Sequence, residues 1–404
     1  MTRALEVEDL ERLAEPDERP RGEPTWSVRR ITTLLAPAMI YLGIREVGLL
    51  VLTWMNSMHG LHMGTVLSNW DGLWFLGIAE DGYDGVSPNL LDAMGHHNDY
   101  TSMAFFPGYP TAVRWMSEVG GWLGMSLLTA ALTVTIVSGV ITAYGLVRLG
   151  TLVSGGSRRV GLVLVALFAT TPMAAVLSMA YSEALFCAFA VWSLIGVLER
   201  RWVLAGTCCA FAGLVRPTGA ALFLAVGAAA LVAVIQRKDD WRPVLGGLLA
   251  PAGLLGYLAW VAFRTGQWDG WFAIQRAGWA SGFDGGARFT RFVRDTLADP
   301  VWLFDVGTVA ICGLAVVIAV VCVLRRLEWP LLVYGLGALA MDLASDGLMA
   351  SKVRLLIPAF TLLVPVAIAL ARRRPATVVL VLSGLAVVSA WYGAYGLTTW
   401  NFAI

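Results

Sequence analysis

The residue of this sequence best suited to taking up a proton is Asp71, in the stretch Asn69-Trp70-Asp71-Gly72-Leu73-Trp74-Phe75-Leu76-Gly77-Ile78-Ala79-Glu80-Asp81-Gly82-Tyr83. Asp84 follows directly, so four carboxylates crowd one polar loop of a chain that is otherwise almost continuously apolar. A carboxylate beside a bilayer loses hydration and costs free energy unless it has a partner or a task. The loop is therefore read as an active site, with Asp71 as general base and Glu80 and Asp81 as further catalytic candidates. Partial desolvation next to Trp70 suits a carboxylate to proton abstraction. The competing reading of Asp71 is a helix N-cap, because it precedes the apolar run Leu73-Trp74-Phe75-Leu76 and caps favour Asp. Glu80 and Asp81 would end the same short helix, where acids oppose its dipole, so a cation or a functional role should offset them.

The complementary cations are few. Arg216 precedes Pro217, and Lys352 and Arg354 precede an apolar run that starts at Leu355. An arginine fork makes bidentate contacts to phosphate, so Arg216, Lys352 and Arg354 are the candidate phosphate-binding residues. Arg45 and Glu46 lie within the first apolar run, where an unpaired charge is costly, and are expected either to pair with each other or to shape a cavity. His96 and His97, among Asp92, Asn98 and Asp99, are adjacent in an extended loop and point opposite ways, which is poor geometry for sharing a metal. No metal and no other cofactor is expected. The five cysteines, Cys187, Cys208, Cys209, Cys312 and Cys322, fall in apolar runs without metal-ligand spacing and read as small buried hydrophobes.

The elements that must position these residues follow from composition. Of 404 residues 58% are hydrophobic and 14% charged, with a mean hydropathy of +0.70, whereas soluble domains carry about a quarter charged residues. The chain is expected to be an all-α polytopic membrane protein, with no nucleic-acid footprint. Residues 1–28, rich in Arg and Glu with Pro16, Pro20 and Pro24, are expected to form a disordered cytoplasmic tail. The first apolar run, about 31–55, begins too late and is too long for a cleavable signal. Further spans are expected at about 122–147, 160–182, 184–198, 202–215, 217–235, 243–263, 301–324, 330–347, 354–371 and 376–397, about eleven crossings in all. Within 202–235, two short helices meeting at Pro217 fit better than one span.

Orientation follows from charge. The loops assigned to the cytoplasm hold Arg148, Arg158, Arg159, Arg200, Arg201, Arg237, Lys238, Arg242, Arg325, Arg326 and Arg372 to Arg374, and the opposite loops hold nearly all the acids. The positive-inside rule then places 56–103, 264–300 and the C-terminus outside the cytoplasm, and the N-terminus inside, in a plasma membrane. The loop 264–300 contains Trp268, Trp271 and Trp279 and is expected to hold short amphipathic helices at the membrane interface.

Several motifs carry a resemblance. Trp70-Asp71, Ile78-Ala79-Glu80-x-Gly82-Tyr83, Ala104-Phe105-Phe106-Pro107-Gly108-Tyr109-Pro110, Tyr181-Ser182-Glu183, Arg216-Pro217-Thr218-Gly219 and Val353-Arg354-Leu355-Leu356-Ile357-Pro358 resemble, in order, the signature of the PIG-V family of mannosyltransferases. The resemblance implies a GT-C type helical bundle over residues 29–404 that takes mannose from a polyprenyl-phosphate donor. It maps the family's catalytic Asp onto Asp71. The candidate substrate-binding residues are Trp70, Tyr83, Phe106, Tyr109 and Glu183, with Gln275 and Trp279 from the loop 264–300. Gly72 and Trp74 depart from what eukaryotic members often carry, and the Ala, Gly, Val and Arg bias suggests a bacterial member, for which a GPI anchor is not the expected product. The expected acceptor is a glycolipid or lipid-linked glycan, alongside membrane lipids. Two alternatives remain open at this point: a lipid-linked sugar transporter or flippase, and a related enzyme that uses another sugar such as a pentose.

Overall fold

The computed structural model describes residues 28–237, 239–400, 402 and 403. The expected tail over 1–28 lies, but for Val28, outside the described residues, as does Lys238. Two units are distinguished, Met1–Ala36 and Pro37–Ile404. Of the first, only the opening turns of a helix are described. The second contains every element discussed below.

The described residues are helical, and their one β-type pairing is an isolated bridge between Phe283 and Ser345. We number the α-helices in chain order: α1 Val28–His59, α2 Met63–Ser68, α3 Asp71–Asp81, α4 Gly108–Gly120, α5 Leu127–Leu152, α6 Arg158–Ala169, α7 Glu183–Leu198, α8 Trp202–Val215, α9 Gly219–Ile235, α10 Arg242–Leu249, α11 Ala252–Thr265, α12 Gly270–Trp279, α13 Ala287–Ala298, α14 Leu303–Leu324, α15 Trp329–Leu343, α16 Lys352–Leu355, α17 Val364–Ala371 and α18 Pro375–Thr398. The protein is an all-α, multi-pass membrane protein.

Among the described residues, five helical stretches are long and apolar enough to cross a bilayer: Arg30–His59, Leu127–Leu152, Arg242–Thr265, Leu303–Leu324 and Pro375–Thr398. A sixth is added if Met349–Leu355 and Ile357–Ala371, bent by 53°, count as one broken span. The expected count of about eleven is not reached by this measure. α7, α8, α9 and α15 have 16, 14, 17 and 15 residues, and at about 1.5 Å per residue they fall short of roughly 30 Å of hydrocarbon.

The expected span 160–182 is interrupted. α6 stops at Ala169, Pro172 lacks the N–H that a continuing helix needs, and Met173 takes a left-handed conformation (φ 59°) before a 3-10 turn over Ala174–Ser178. This break matters for the site, because it returns Tyr181 to Glu183 to the end of α2, where the Ala180 N–H donates to Leu67 O at 2.9 Å. α8 and α9 meet at Arg216 to Thr218, as expected for Pro217. Arg216 is extended (φ −152°, ψ 150°) because the proline ring disfavours helical backbone in the residue before it.

Small residues set the packing distances, as they do where lipid supplies no hydrophobic drive between helices. A Cβ on Gly206 of α8 would come within 2.4 Å of Gly246 O on α10. Large apolar side chains face outward instead, among them Leu50 and Trp54 on α1, Leu324 on α14 and Leu380 on α18, as a lipid solvent requires. The expected Arg45–Glu46 pair does not form, since neighbours on a helix point about 100° apart. Arg45 is buried and donates to the carbonyls of Ala169 and Ala174, whereas Glu46 is exposed.

The segment 264–300 holds α12 and α13. It is tied to the chain after α15 by Asp284 N to Ala344 O (3.1 Å) and Asp346 N to Gly282 O (3.1 Å). The Asp284 carboxylate also accepts from the backbone N–H of Arg288 and of Gly286, which opens α13, and the Arg288 bond is the main reason its pKa lies below the ordinary Asp value.

Candidate active site

α3 begins with a backbone anomaly. Trp70 has φ 54° and ψ −115°, a conformation that costs a bulky L-residue on the order of 1–3 kcal/mol and persists only where the surroundings impose it. Here Gly72 N donates to Asn69 O (3.2 Å), Leu73 N donates to Trp70 O (3.1 Å), and the Tyr181 hydroxyl donates to Asn69 O (3.1 Å). The N-cap position belongs to Trp70, with no side-chain cap bond, and Asp71 is the first helical residue. The capping role weighed for Asp71 is therefore not what its carboxylate does.

That carboxylate meets Arg354 instead, with Oδ2 2.7 Å from Nη1. Arg354 Nε lies 3.6 Å from Glu183 Oε1, and the same oxygen is 2.8 Å from Arg216 Nη1. Arg216 Nη1 also donates to Ser182 Oγ at 2.9 Å. The Arg354 guanidinium stands over the Tyr181 ring, 5.1 Å from its centroid, a cation–π contact that confines where it can swing. Two carboxylates and two guanidiniums thus form one chain, Asp71–Arg354–Glu183–Arg216. Side-chain exposure falls along it from 25% at Asp71 to 8% at Arg354 and 0% at Glu183. Arg354 Nε and Nη1, Arg216 Nε and both Glu183 carboxylate oxygens make no hydrogen bond of ordinary geometry among the described residues, so these are ion contacts, and buried polar atoms in that state call for a partner such as a ligand, an ion or a water.

Each member is placed by its local sequence. Glu183 opens α7 directly after the break at Pro172, and Arg216 is projected by the extended backbone before Pro217. Gly108, of the Phe-Pro-Gly-Tyr motif, lets α4 press on the end of α8: a Cβ there would meet Val215 Cγ2 at 2.7 Å and Leu214 O at 2.9 Å, immediately before Arg216. Arg354 rides on α16, which Lys352 anchors. The Lys352 ammonium donates to Ser345 O (2.7 Å), Ser345 Oγ (2.9 Å) and Asp342 O, and lies 3.9 Å from Asp342 Oδ1.

The structure revises several expected site residues. Glu80 and Asp81 are exposed at the far end of α3, roughly 14 Å from Asp71 at the rise of an α-helix, and do not join its cluster. An ammonium has three hydrogens, and those of Lys352 are committed within its own segment, so it holds α16 and does not present a phosphate ligand. Phe106 (2% exposed) packs with Met103, Leu254, Tyr257 and Val261, and Tyr109 (0%) donates to Ala131 O at 3.0 Å and shares a hydrogen bond with Thr135 Oγ1 at 2.8 Å. Both belong to the core.

Tyr83 and Gln275 donate to Phe105 O (2.8 Å) and Ala104 O (3.0 Å), fixing the second motif's backbone. Burial pushes the Tyr83 phenol above its ordinary range, which keeps it a hydrogen-bond donor. Trp279 stacks edge-on against Phe105 (5.5 Å) and Trp74 (6.2 Å). His97 stacks on Trp74 (5.9 Å) and bonds Leu90 O (2.7 Å). No cluster of three or more His, Cys, Asp or Glu suited to a metal occurs among the described residues. Trp70 is half-buried beside Asp71. Of the predicted set, the structure joins Asp71, Glu183, Arg216 and Arg354.

Sequence reasoning overlooked Tyr181 as the ring beneath Arg354 and Asp342 as the acid beside Lys352. Asp342 had a readable signal: it is a carboxylate inside an apolar run, and such residues are by default functional or paired.

The fold and this cluster define a multi-pass helical membrane protein with a buried, charge-balanced site beside a half-exposed carboxylate. Comparison with known proteins makes that class more specific. Residues 51–233 match the family described as Mannosyltransferase (PIG-V), which confirms the resemblance drawn from the motifs. Asp71, Glu183 and Arg216 fall inside the matched stretch and Arg354 outside it. The chain is similar to GPI alpha-1,6-mannosyltransferase 2 of Mus musculus, 36% identical over 160 residues, or 38% of this chain and 29% of that protein. It is likewise similar to the Cricetulus griseus protein of the same name, 36% identical over 140 residues, or 33% of this chain and 25% of that one. The matches thus span less than a third of those relatives. A crystal structure of ArnT from Cupriavidus metallidurans bound to undecaprenyl phosphate aligns with 89% of this chain and 75% of its own, at a TM-score of 0.43 and 14% identity, too distant to carry an argument about this site.

Proposed function

We propose that this protein is an inverting GT-C type membrane glycosyltransferase that moves mannose from a polyprenyl-phosphate donor to a hydroxyl of a glycolipid or lipid-linked glycan, on the extracytoplasmic face. The observation that carries the proposal is the 2.7 Å contact between Asp71 and Arg354, which brings a proton acceptor and a phosphate-binding cation together from opposite ends of the sequence. In this reading the acceptor oxygen attacks the anomeric carbon as Asp71 takes its proton. The bond from that carbon to the phosphate oxygen breaks, and the electron pair leaves with the polyprenyl phosphate. Arg354 stabilises the charge that develops there, the largest contribution expected in such a site. A β-linked donor gives an α-mannoside.

Room for the lipid supports the same assignment. An apolar cavity of about 130 Å³, lined by Pro172, Ile311, Ile318, Leu356, Phe360 and Leu363 among others, opens beside Val353, the neighbour of Arg354. Its walls come from α14, from Thr171 and Pro172 and from the bent segment that carries Arg354, so a hydrocarbon chain entering there would lie along the segment that presents the arginine.

The test is transfer of labelled mannose from a synthetic polyprenyl-phosphate-mannose by the purified full chain, with product lipids identified by mass spectrometry. Absence of any sugar transfer, with donor bound, would favour a carrier. The side of the membrane is tested separately. A cysteine placed at exposed Ser87 should react with a membrane-impermeant maleimide in intact cells, and labelling only after permeabilisation would reverse the orientation.

A further inference from the structure

Arg354 is a shared cation. Its Nη1 rests on Asp71 at 2.7 Å while its Nε lies 3.6 Å from Glu183, so the base is ion-paired to the group that should hold the donor phosphate. In that contact the guanidinium occupies the Asp71 oxygen that would have to meet the acceptor's hydroxyl. The surroundings leave the arginine somewhere to go. Glu183, fully buried, has Oε2 without a hydrogen-bond partner, and Arg354 Nε, 3.6 Å from Glu183 Oε1, makes no hydrogen bond among the described residues. The Tyr181 ring lies 5.1 Å from the guanidinium. Arg216, held by Glu183 and Ser182, is fixed at the far end of the chain of charges.

We infer that the donor phosphate unmasks the base: it draws Arg354 from Asp71, and only then can Asp71 take the acceptor's proton. The inference rests on the polyprenyl-phosphate reading of the site. Charge accounting gives it direction. Asp71, Glu183, Arg216 and Arg354 sum to zero, so a phosphodiester donor brings one negative charge in excess. Moving the acceptor's proton onto Asp71 neutralises one carboxylate while the departing phosphate gains one charge, and the total is conserved through the step. Donor binding therefore frees Asp71 from its cation, and the productive order is donor first. Glu183 acts as a positioning residue, holding the arginine between its two partners without touching the reacting atoms.

The inference makes an unusual demand on binding. Asp71 and the phosphate compete for Arg354, so removing the catalytic carboxylate should tighten the lipid's grip. With the purified full chain and a polyprenyl monophosphate as probe, followed by tryptophan fluorescence, Asp71→Asn should bind roughly tenfold tighter than wild type, the scale of one charge-assisted contact. In an Arg354→Gln background that gain should vanish. Equal or weaker binding by Asp71→Asn, with the wild type binding normally, overturns the unmasking and leaves the donor reading intact. A gain that persists undiminished without Arg354 also overturns it, since simple charge repulsion then explains the effect. Failure of the probe to bind wild type and all variants removes the donor reading and the unmasking together. Should Asp71→Asn not yield a monodisperse protein, Asp71→Ser removes the same charge and takes its place with the same outcomes.

Discussion

Two regions of this molecule are rich in carboxylates, and they behave oppositely. Glu80, Asp81, Asp84 and Asp99 stand in the open, and Asp92 beside them is half-buried. Asp84 meets Arg264 and Asp92 accepts from the backbone amides of Met94 and His96, contacts that organise a loop in water. At Asp71 and Glu183 there are only two acids, but each is held against arginines, and Glu183 is entirely buried. In the open loop, water stabilises each charge separately and an ion pair is worth about 0–1 kcal/mol. In the buried chain of charges, no member can be altered without leaving another uncompensated. Chemistry therefore belongs to the region with fewer charges and more constraint.

The comparison can be broken at several points. The largest effect should come from Glu183→Ala, which leaves Arg216 and Arg354 with an unpaired buried charge and should cost about 3–5 kcal/mol. Unfolding in graded denaturing detergent would detect it, and a loss no larger than for an exposed acid would place the charge chain among ordinary surface pairs. Next is Asp71→Asn, expected to lower mannose transfer by roughly a hundredfold or more while the protein stays folded. Transfer near the wild-type rate would detach Asp71 from the chemistry.

Arg354→Lys keeps the charge but loses the planar fork. It should weaken donor binding by roughly tenfold, seen as a raised KM for the lipid donor, and an unchanged KM would put the phosphate elsewhere. The smallest effects sharpen the contrast from the other side. Glu80→Gln and Asp81→Asn should alter stability by no more than about 0.5 kcal/mol and leave transfer at its wild-type rate. A severe loss from either would restore them to the site.

Parts of this site were legible residue by residue. Asp71 stood out as an acid in a nearly uncharged sequence, and the sequence Arg216-Pro217 announced both a helix break and an extended arginine, since the proline ring acts on its immediate neighbour. Other features gave misleading signals. Phe106 and Tyr109 belong to a striking-looking aromatic motif only because Gly108 must let α4 press on α8, and a buried packing motif and a binding motif use the same residue types. Lys352 read as a phosphate ligand because nothing local reveals that Asp342 and Ser345 absorb its three hydrogens.

The sequence by itself determined the class of the protein: apolar runs too long and too poor in charge for water, with helix breaks at Pro172 and Pro217, although Pro37 lies within α1. Those are consequences of solvent transfer and of local backbone sterics, and each is decided within a few residues. Only the tertiary structure decided which charges meet. The contacts of Asp71 with Arg354 and of Glu183 with Arg216 join segments whose separation along the chain carries no record of their distance in space. What closes that distance is the packing of interrupted helices, with the chain reversing at Pro172 and bending by 53° between Leu355 and Ile357, and in a low-dielectric interior the charges brought inside by that packing persist only because they pair.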